Sequence, residues 1–272
     1  MTFELIRLRF HFRATGSVYF PRGKAANTLR GAFGMMLPEA VDGREYAQIF
    51  APKSQGNGPS GLADSPRAFV FRAAHLNGQT IPPGAEFHFD VHLFDAHEGA
   101  RSLFIHSFSR LAAHGIGPRR GRAALLSVDQ EKIAIDLDAP PESAGRIRVQ
   151  FLTPTELKGA ERPEFQALFG RLRDRISTLR ALYGAGPLDI DFRAMGERAG
   201  RVQLLRCDLT WHETERYSTR TGQTHPIGGF TGEAEYEGDL GEFLPYLRAG
   251  QWTGVGRQTV WGKGEICFQP CC

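Results

Sequence analysis

Gly254-Val255-Gly256-Arg257-Gln258-Thr259-Val260-Trp261-Gly262-Lys263-Gly264, near the C-terminus, has a shorter counterpart at Gly115-Ile116-Gly117-Pro118-Arg119-Arg120-Gly121-Arg122. Both stretches are glycine-rich and basic. Each follows an apolar helical pattern and precedes a final strand pattern, so the pair marks the same point in two copies of one unit. The hinge between the copies is the proline-rich polar run Asp138-Ala139-Pro140-Pro141-Glu142-Ser143-Ala144-Gly145. This reading places an N-terminal domain over residues 1–140 and a C-terminal domain over 141–272.

Working outward from the loops, each half reads β-α-β-β-α-β. In the first half Ile6, Leu8, Phe10 and Phe12 alternate with Arg7, Arg9, His11 and Arg13, the pattern of a half-buried strand. Leu29, Phe33, Met36 and Leu37 then set a helical spacing within 25–41, and strands are expected over 67–74 and 86–94. A second helix over 102–114 carries Leu103, Phe104, Phe108 and Leu111, and a strand over 123–128 closes the unit. The second half repeats this order: strand 146–152, helix 164–182, strands 202–212 and 230–237, a short helix at 240–247 and strand 265–269. The fold class predicted is α+β, with two tandem ferredoxin-like domains, the arrangement that also underlies common RNA-recognition modules.

The bulk properties narrow the function. A chain of 272 residues, 41% apolar and 23% charged, suits two folded domains and carries no signature of disorder. The net charge of +3 is only mildly basic, but Arg7, Arg9, Arg13, Arg22, Lys24 and Arg30 face a single acid, Glu4, in the first 30 residues. No apolar run is long enough to span a bilayer and the first residues do not read as a signal peptide, so a cytoplasmic location without membrane contact is expected. Cys207, Cys267, Cys271 and Cys272 lack the spacing of a zinc site or a disulfide framework and read as reduced thiols.

The loop chemistry points to an anion. Glycines around exposed backbone N–H groups let a phosphate approach closely, and Arg257 and Lys263 add charge. Gly264 follows Lys263 where a Walker loop needs Ser or Thr, and the loop leads into a strand where a dinucleotide fingerprint leads into a helix. No nucleotide cofactor or metal is expected. Trp252 and Trp261 offer faces on which an unpaired base stacks, or bury against the sheet; the sequence leaves both readings open.

The segment Phe230-Thr231-Gly232-Glu233-Ala234-Glu235-Tyr236-Glu237-Gly238-Asp239-Leu240, together with Gly254 to Ile266, resembles the C-terminal signature of the CRISPR-associated repeat-RNA endoribonucleases, a branch of the RAMP superfamily. Asn27-Thr28-Leu29-Arg30-Gly31-Ala32-Phe33-Gly34, Tyr46-Ala47-Gln48-Ile49-Phe50 and Pro66-Arg67-Ala68-Phe69-Val70 resemble the same family, so the likeness spans both halves. The resemblance implies a protein that binds CRISPR repeat RNA and cuts the precursor transcript once per repeat. It implies metal-independent cleavage, with attack by the 2′-hydroxyl leaving a 2′,3′-cyclic phosphate and a 5′-hydroxyl. Other CRISPR effector subunits are implied as partners, and a homodimer is left open. A non-catalytic RAMP subunit holding guide RNA is the alternative; a phosphate-metabolite enzyme is a third.

Transesterification needs a base, an acid and a cation at the phosphorane. Family sites usually place a histidine near the first helix, but no histidine lies between Ser17 and Leu62. The catalytic candidates are therefore Tyr19 and Lys24 near that helix, His11 on the first strand, and His225 in the polar hairpin 217–226. Arg9, His11 and Arg13 should lie beside His88, Asp90 and His92 on the neighbouring strand, a patch open to acid-base, metal or purely solvated readings. His225 reads equally as an exposed turn residue, and Lys24 as a backbone contact. RNA contact is expected of Arg9, Arg13, Arg22, Arg30, Arg119, Arg120, Arg122, Arg216, Arg220, Gly254, Gly256, Arg257, Gly262, Lys263 and Gly264. Arg171, Arg173, Arg175 and Arg180 read as a solvated helix face.

Overall fold

The computed structural model describes residues 1–37, 49, 66–95, 98–157, 160, 162–213, 215–217, 224–226 and 228–271. Arg220, most of Tyr46–Phe50 and Cys272 lie outside the described residues, as do the side chains of Arg216 and His225.

The first half runs β1 (Thr2–Ala14), β2 (Val18–Tyr19), α1 (Ala25–Met36), β3 (Phe69–Arg72), β4 (Thr80–Ile81), β5 (Glu86–Leu93), α2 (Glu98–Ser109), α3 (Leu111–His114) and β6 (Ala123–Asp136). The second runs β7 (Arg146–Thr155), α4 (Phe165–Tyr183), α5 (Phe192–Ala199), β8 (Gln203–His212), β9 (Glu215–Tyr217), β10 (Thr224–Pro226), β11 (Gly229–Glu237), α6 (Leu244–Thr253) and β12 (Ile266–Pro270). The two main sheets have the orders β3-β5-β1-β6 and β12-β7-β11-β8, all antiparallel. Both are the ferredoxin-like order, so the chain consists of two tandem ferredoxin-like units.

The alternation of β1 sorts the first sheet. Ile6, Leu8, Phe10 and Phe12 face the helices, where rings from strand and helix interlock: Phe33 of α1 stacks on Phe104 of α2 with centroids 4.2 Å apart. The opposite face changes character along its length. Phe3, Leu5, Val70 and Phe94 bury in the core of the second unit, and Arg72 and His92 follow as buried polar groups. Arg9, His11 and Arg13 then emerge toward solvent. The second unit therefore covers one end of the first sheet and leaves the other open.

This seam corrects one expectation. Of the α4 arginines only Arg171 is exposed as expected: Arg180 is buried and donates to the Thr2 carbonyl (2.7 Å), while Arg175 donates to the Thr253 carbonyl (3.1 Å). Arg72 and His92, from the first sheet, reach the Trp252 carbonyl at 3.2 and 2.9 Å. The C-terminal carbonyls of α6, which no helical N–H satisfies, are thus capped by side chains from both units. Burial lowers the pKa of Arg72 and Arg175, but a guanidinium starts high enough to stay charged near neutrality. Among the described residues no helix is long and apolar enough to cross a membrane.

Candidate RNA-processing site

Both glycine-rich loops pack on α1. This helix begins without a side-chain cap of its own; Asn77, from the turn before β4, accepts from the Ala25 N–H at 2.9 Å. Gly117 of the first loop lies so close that a Cβ there would sit 3.1 Å from Thr28 and 3.3 Å from the Tyr19 carbonyl. Gly262 of the second loop approaches another side of the same turn, where a Cβ would lie 2.3 Å from the Ala26 Cβ. The loops, distant in sequence, therefore meet around the N-terminus of one helix.

The longer loop is less open than its composition suggests. A Cβ on Gly256 would meet the Glu156 carbonyl at 2.4 Å, and one on Gly264 the Val255 carbonyl at 2.0 Å. Gly254, Gly256, Gly262 and Gly264 all have positive φ, so they are needed for a chain folded tightly onto itself and onto α1. Two expected surface cations are also turned inward: Arg30 is 6% exposed, with its guanidinium 5.9 Å from the Trp261 ring centroid, and Lys263 is 3% exposed. The inward turn follows from the loop docking on α1, which sequence spacing does not reveal. Trp261 is half-buried at this contact and Trp252 at the domain seam.

Lys263 and Lys24 are consequently neighbours. Burial lowers the Lys263 pKa, and the charge of Lys24 lowers it further. Neither lysine makes an ion pair among the described residues, and the first turn of α1 holds no acidic residue. The helix N-terminus adds its own positive potential, so the ensemble suits an anion. Beside it, the Arg119 guanidinium lies 4.5 Å from the Tyr19 ring centroid. Arg22, Arg119, Arg120 and Arg122 are exposed around this end, and Arg257 is exposed with its guanidinium on Glu156 at 2.8 Å.

The structure keeps His11 away from this cluster. His11 lies on the sheet face opposite α1 and donates to Asp129 at 2.8 Å. Arg9 is paired with Asp90 at 2.7 Å and Arg13 with Glu86 at 2.6 Å. His75 stacks on His88 (4.6 Å between centroids), and His88 lies 6.0 Å from His11; burial, then His75, lowers the His88 pKa. Among the described residues no three of His, Cys, Asp or Glu converge as ligands of a metal ion. His225 is paired in register with Arg216 across the β9-β10 hairpin. The pairing of Lys24 with Lys263 had no sequence signal beyond the recurrence of the loops themselves.

Two tandem ferredoxin-like units thus close their basic loops over one helix. Residues 149–266 match the family described as "CRISPR-associated endoribonuclease Cas6", and residues 3–139 match a second family, AF_1859_N, described as an N-terminal domain. The C-terminal unit is thus similar to the Cas6 family of CRISPR-associated endoribonucleases. Its fold matches that of a Thermus thermophilus Cas6 (TTHB231), with TM-score 0.59, 16% identity and 99% of each chain covered. The product complex of the same Cas6 gives TM-score 0.62 at 17% identity, covering 98% of this chain and 100% of that one. A "Partial Cas6-RT-Cas1--Cas2 complex" gives TM-score 0.63 at 13% identity, covering 98% of this chain and 46% of that one. No curated protein sequence matches the chain.

Proposed function

We propose that this chain binds the repeat segment of a CRISPR transcript and cuts it within each repeat, without a metal ion, at the N-terminus of α1. The observation that carries this reading is the docking of the Gly262 turn on Ala26, which brings Lys263 of one unit to Lys24 of the other with no ion pair to either lysine among the described residues. Like charges held together at a helix N-terminus are costly alone and favourable around a phosphate. Tyrosine and lysines offer no anionic oxygens to hold Mg²⁺, which supports cleavage by protein groups alone.

The roles follow from the electrostatics. Lys263, whose pKa is lowered, takes the proton of the 2′-hydroxyl as its oxygen bonds to the adjacent phosphorus. Lys24 stabilises the charge of the phosphorane. Tyr19 gives a proton to the departing 5′-oxygen, and a 2′,3′-cyclic phosphate remains. Arg22, Arg119, Arg120, Arg122 and Arg257 hold flanking phosphates. On this reading the units divide at 140/141, the ligand is repeat RNA, the location is cytoplasmic, and other CRISPR proteins are partners; one structural relative is itself a Cas6-RT-Cas1–Cas2 complex.

Incubation with repeat RNA from the same locus in EDTA should give one cut per repeat and a cyclic phosphate end. Lys24→Ala and Lys263→Ala should each slow single-turnover cleavage by about 10²-fold or more while RNA is still bound. A second reading, binding without cleavage, is favoured by the absence of a histidine from the sequence between Ser17 and Leu62, the stretch that contains α1. Tight binding with no cut under any buffer condition would establish it and remove the catalytic proposal.

A further inference from the structure

We propose that Trp211 is a stacking platform for an unpaired base of the bound RNA, extending the contact surface from the glycine-rich loop across one end of the second sheet. The proposal rests on the RNA-binding reading above.

Trp211 lies at the end of β8, directly across from Phe230 of β11, which in turn pairs with Thr155 of β7. Neighbouring strands lie about 4.8 Å apart, so Trp211 stands roughly 10 Å from Thr155 along the sheet end. Glu156, the next residue, anchors the loop: its carbonyl accepts from the Arg257 N–H and its carboxylate from the Arg257 guanidinium, at 3.1 and 2.8 Å. The same sheet end thus presents an exposed cation at one side and an indole at the other.

The indole is open in front and supported behind. Trp211 is 56% exposed, the largest ring so placed among the described residues. Phe230 lies 6.5 Å from it, centroid to centroid, and a Cβ on Gly228 would touch the indole at 3.6 Å, so the chain passes close along one edge. His212 next to it is held by Thr231 at 2.7 Å, which fixes the strand end. A rigid aromatic face on the same sheet end as an exposed cation lets one base of a single strand stack while a phosphate further along it reaches the cation, whatever the base.

β8 is also an edge strand, which raises pairing with a protein strand as the competing occupant. The distinction is made with Trp211→Ala and Trp211→Phe and a set of repeat RNAs, each lacking one base while keeping its backbone. Wild type should bind the intact repeat, and Trp211→Ala should bind it roughly tenfold more weakly, with Trp211→Phe close to wild type. One abasic RNA should lose affinity for wild type and not for Trp211→Ala, and the intact repeat should quench wild-type tryptophan fluorescence more than that of Trp211→Phe. Equal affinities of wild type and Trp211→Ala, or an identical abasic profile in both, would overturn the platform while leaving repeat binding intact. A change confined to oligomeric state would overturn it in favour of strand pairing. Failure of wild type to bind any repeat RNA would remove the function proposed above, and this inference with it.

Discussion

Acidification should loosen the seam between the units through His92, which is 5% exposed and lies with Nδ1 2.9 Å from the Trp252 carbonyl oxygen. A carbonyl only accepts, so Nδ1 carries the proton and Nε2 is bare. A second proton would place an imidazolium in a dry site next to Arg72. Burial first, and then Arg72, hold the His92 pKa down at about 3; the hydrogen bond to the Trp252 carbonyl and then Asp90 oppose this, and Arg7 adds to it. In the unfolded chain the group titrates near 6.5, so that state takes the proton first. Stability from this residue is therefore fully present above about pH 6.5 and falls as the pH drops toward 3, by at most about 1.4 kcal/mol per unit. Integrated between pH 7 and 5, the loss is about 2 kcal/mol. Urea unfolding of wild type and His92→Gln, whose amide keeps a donor for Trp252, measures it. His88 shifts in the same direction and Asp90 loses stability at lower pH, but both are common to the two proteins. Wild type should lose about 2 kcal/mol more than the variant over that range; parallel pH dependences would refute the reasoning.

Two other perturbations separate the jobs of the glycine-rich loop. Arg257→Ala should weaken binding of all RNAs and lower the magnitude of the log–log salt slope by about 0.7–0.9, and an unchanged slope would take Arg257 off the phosphate backbone. Gly262→Ala forces a methyl to 2.3 Å from the Ala26 Cβ at a φ of 80°, and should cost about 2–4 kcal/mol with a fall in Tm of several degrees. Adding Ala26→Gly should recover part of that loss; no recovery would show that the loop does not dock through this contact.

The sequence by itself determined the two units and their internal order. Alternation in β1 and helical spacing in α1 and α4 are set by which faces are apolar, and the recurrence of a basic glycine loop before each last strand aligned the halves. It did not determine the length of β6: the expected strand ends at 128, yet β1 pairs with it on to Asp136, because backbone pairing to a neighbour overrides weak local preference. The short helix α5 was likewise not anticipated. The candidate site is a tertiary product. Arg30 and Lys263 read as surface cations because composition records charge and not direction; docking of the loop on Ala26 turns both inward and sets Lys263 beside Lys24. His11 stands eight residues from Tyr19 in the chain but on the opposite face of a sheet, where neither packing nor field brings it to α1. Which residues share a strand face is written in a local period of two. Which cations share a phosphate depends on how two independently patterned units close against each other, and no local pattern encodes that.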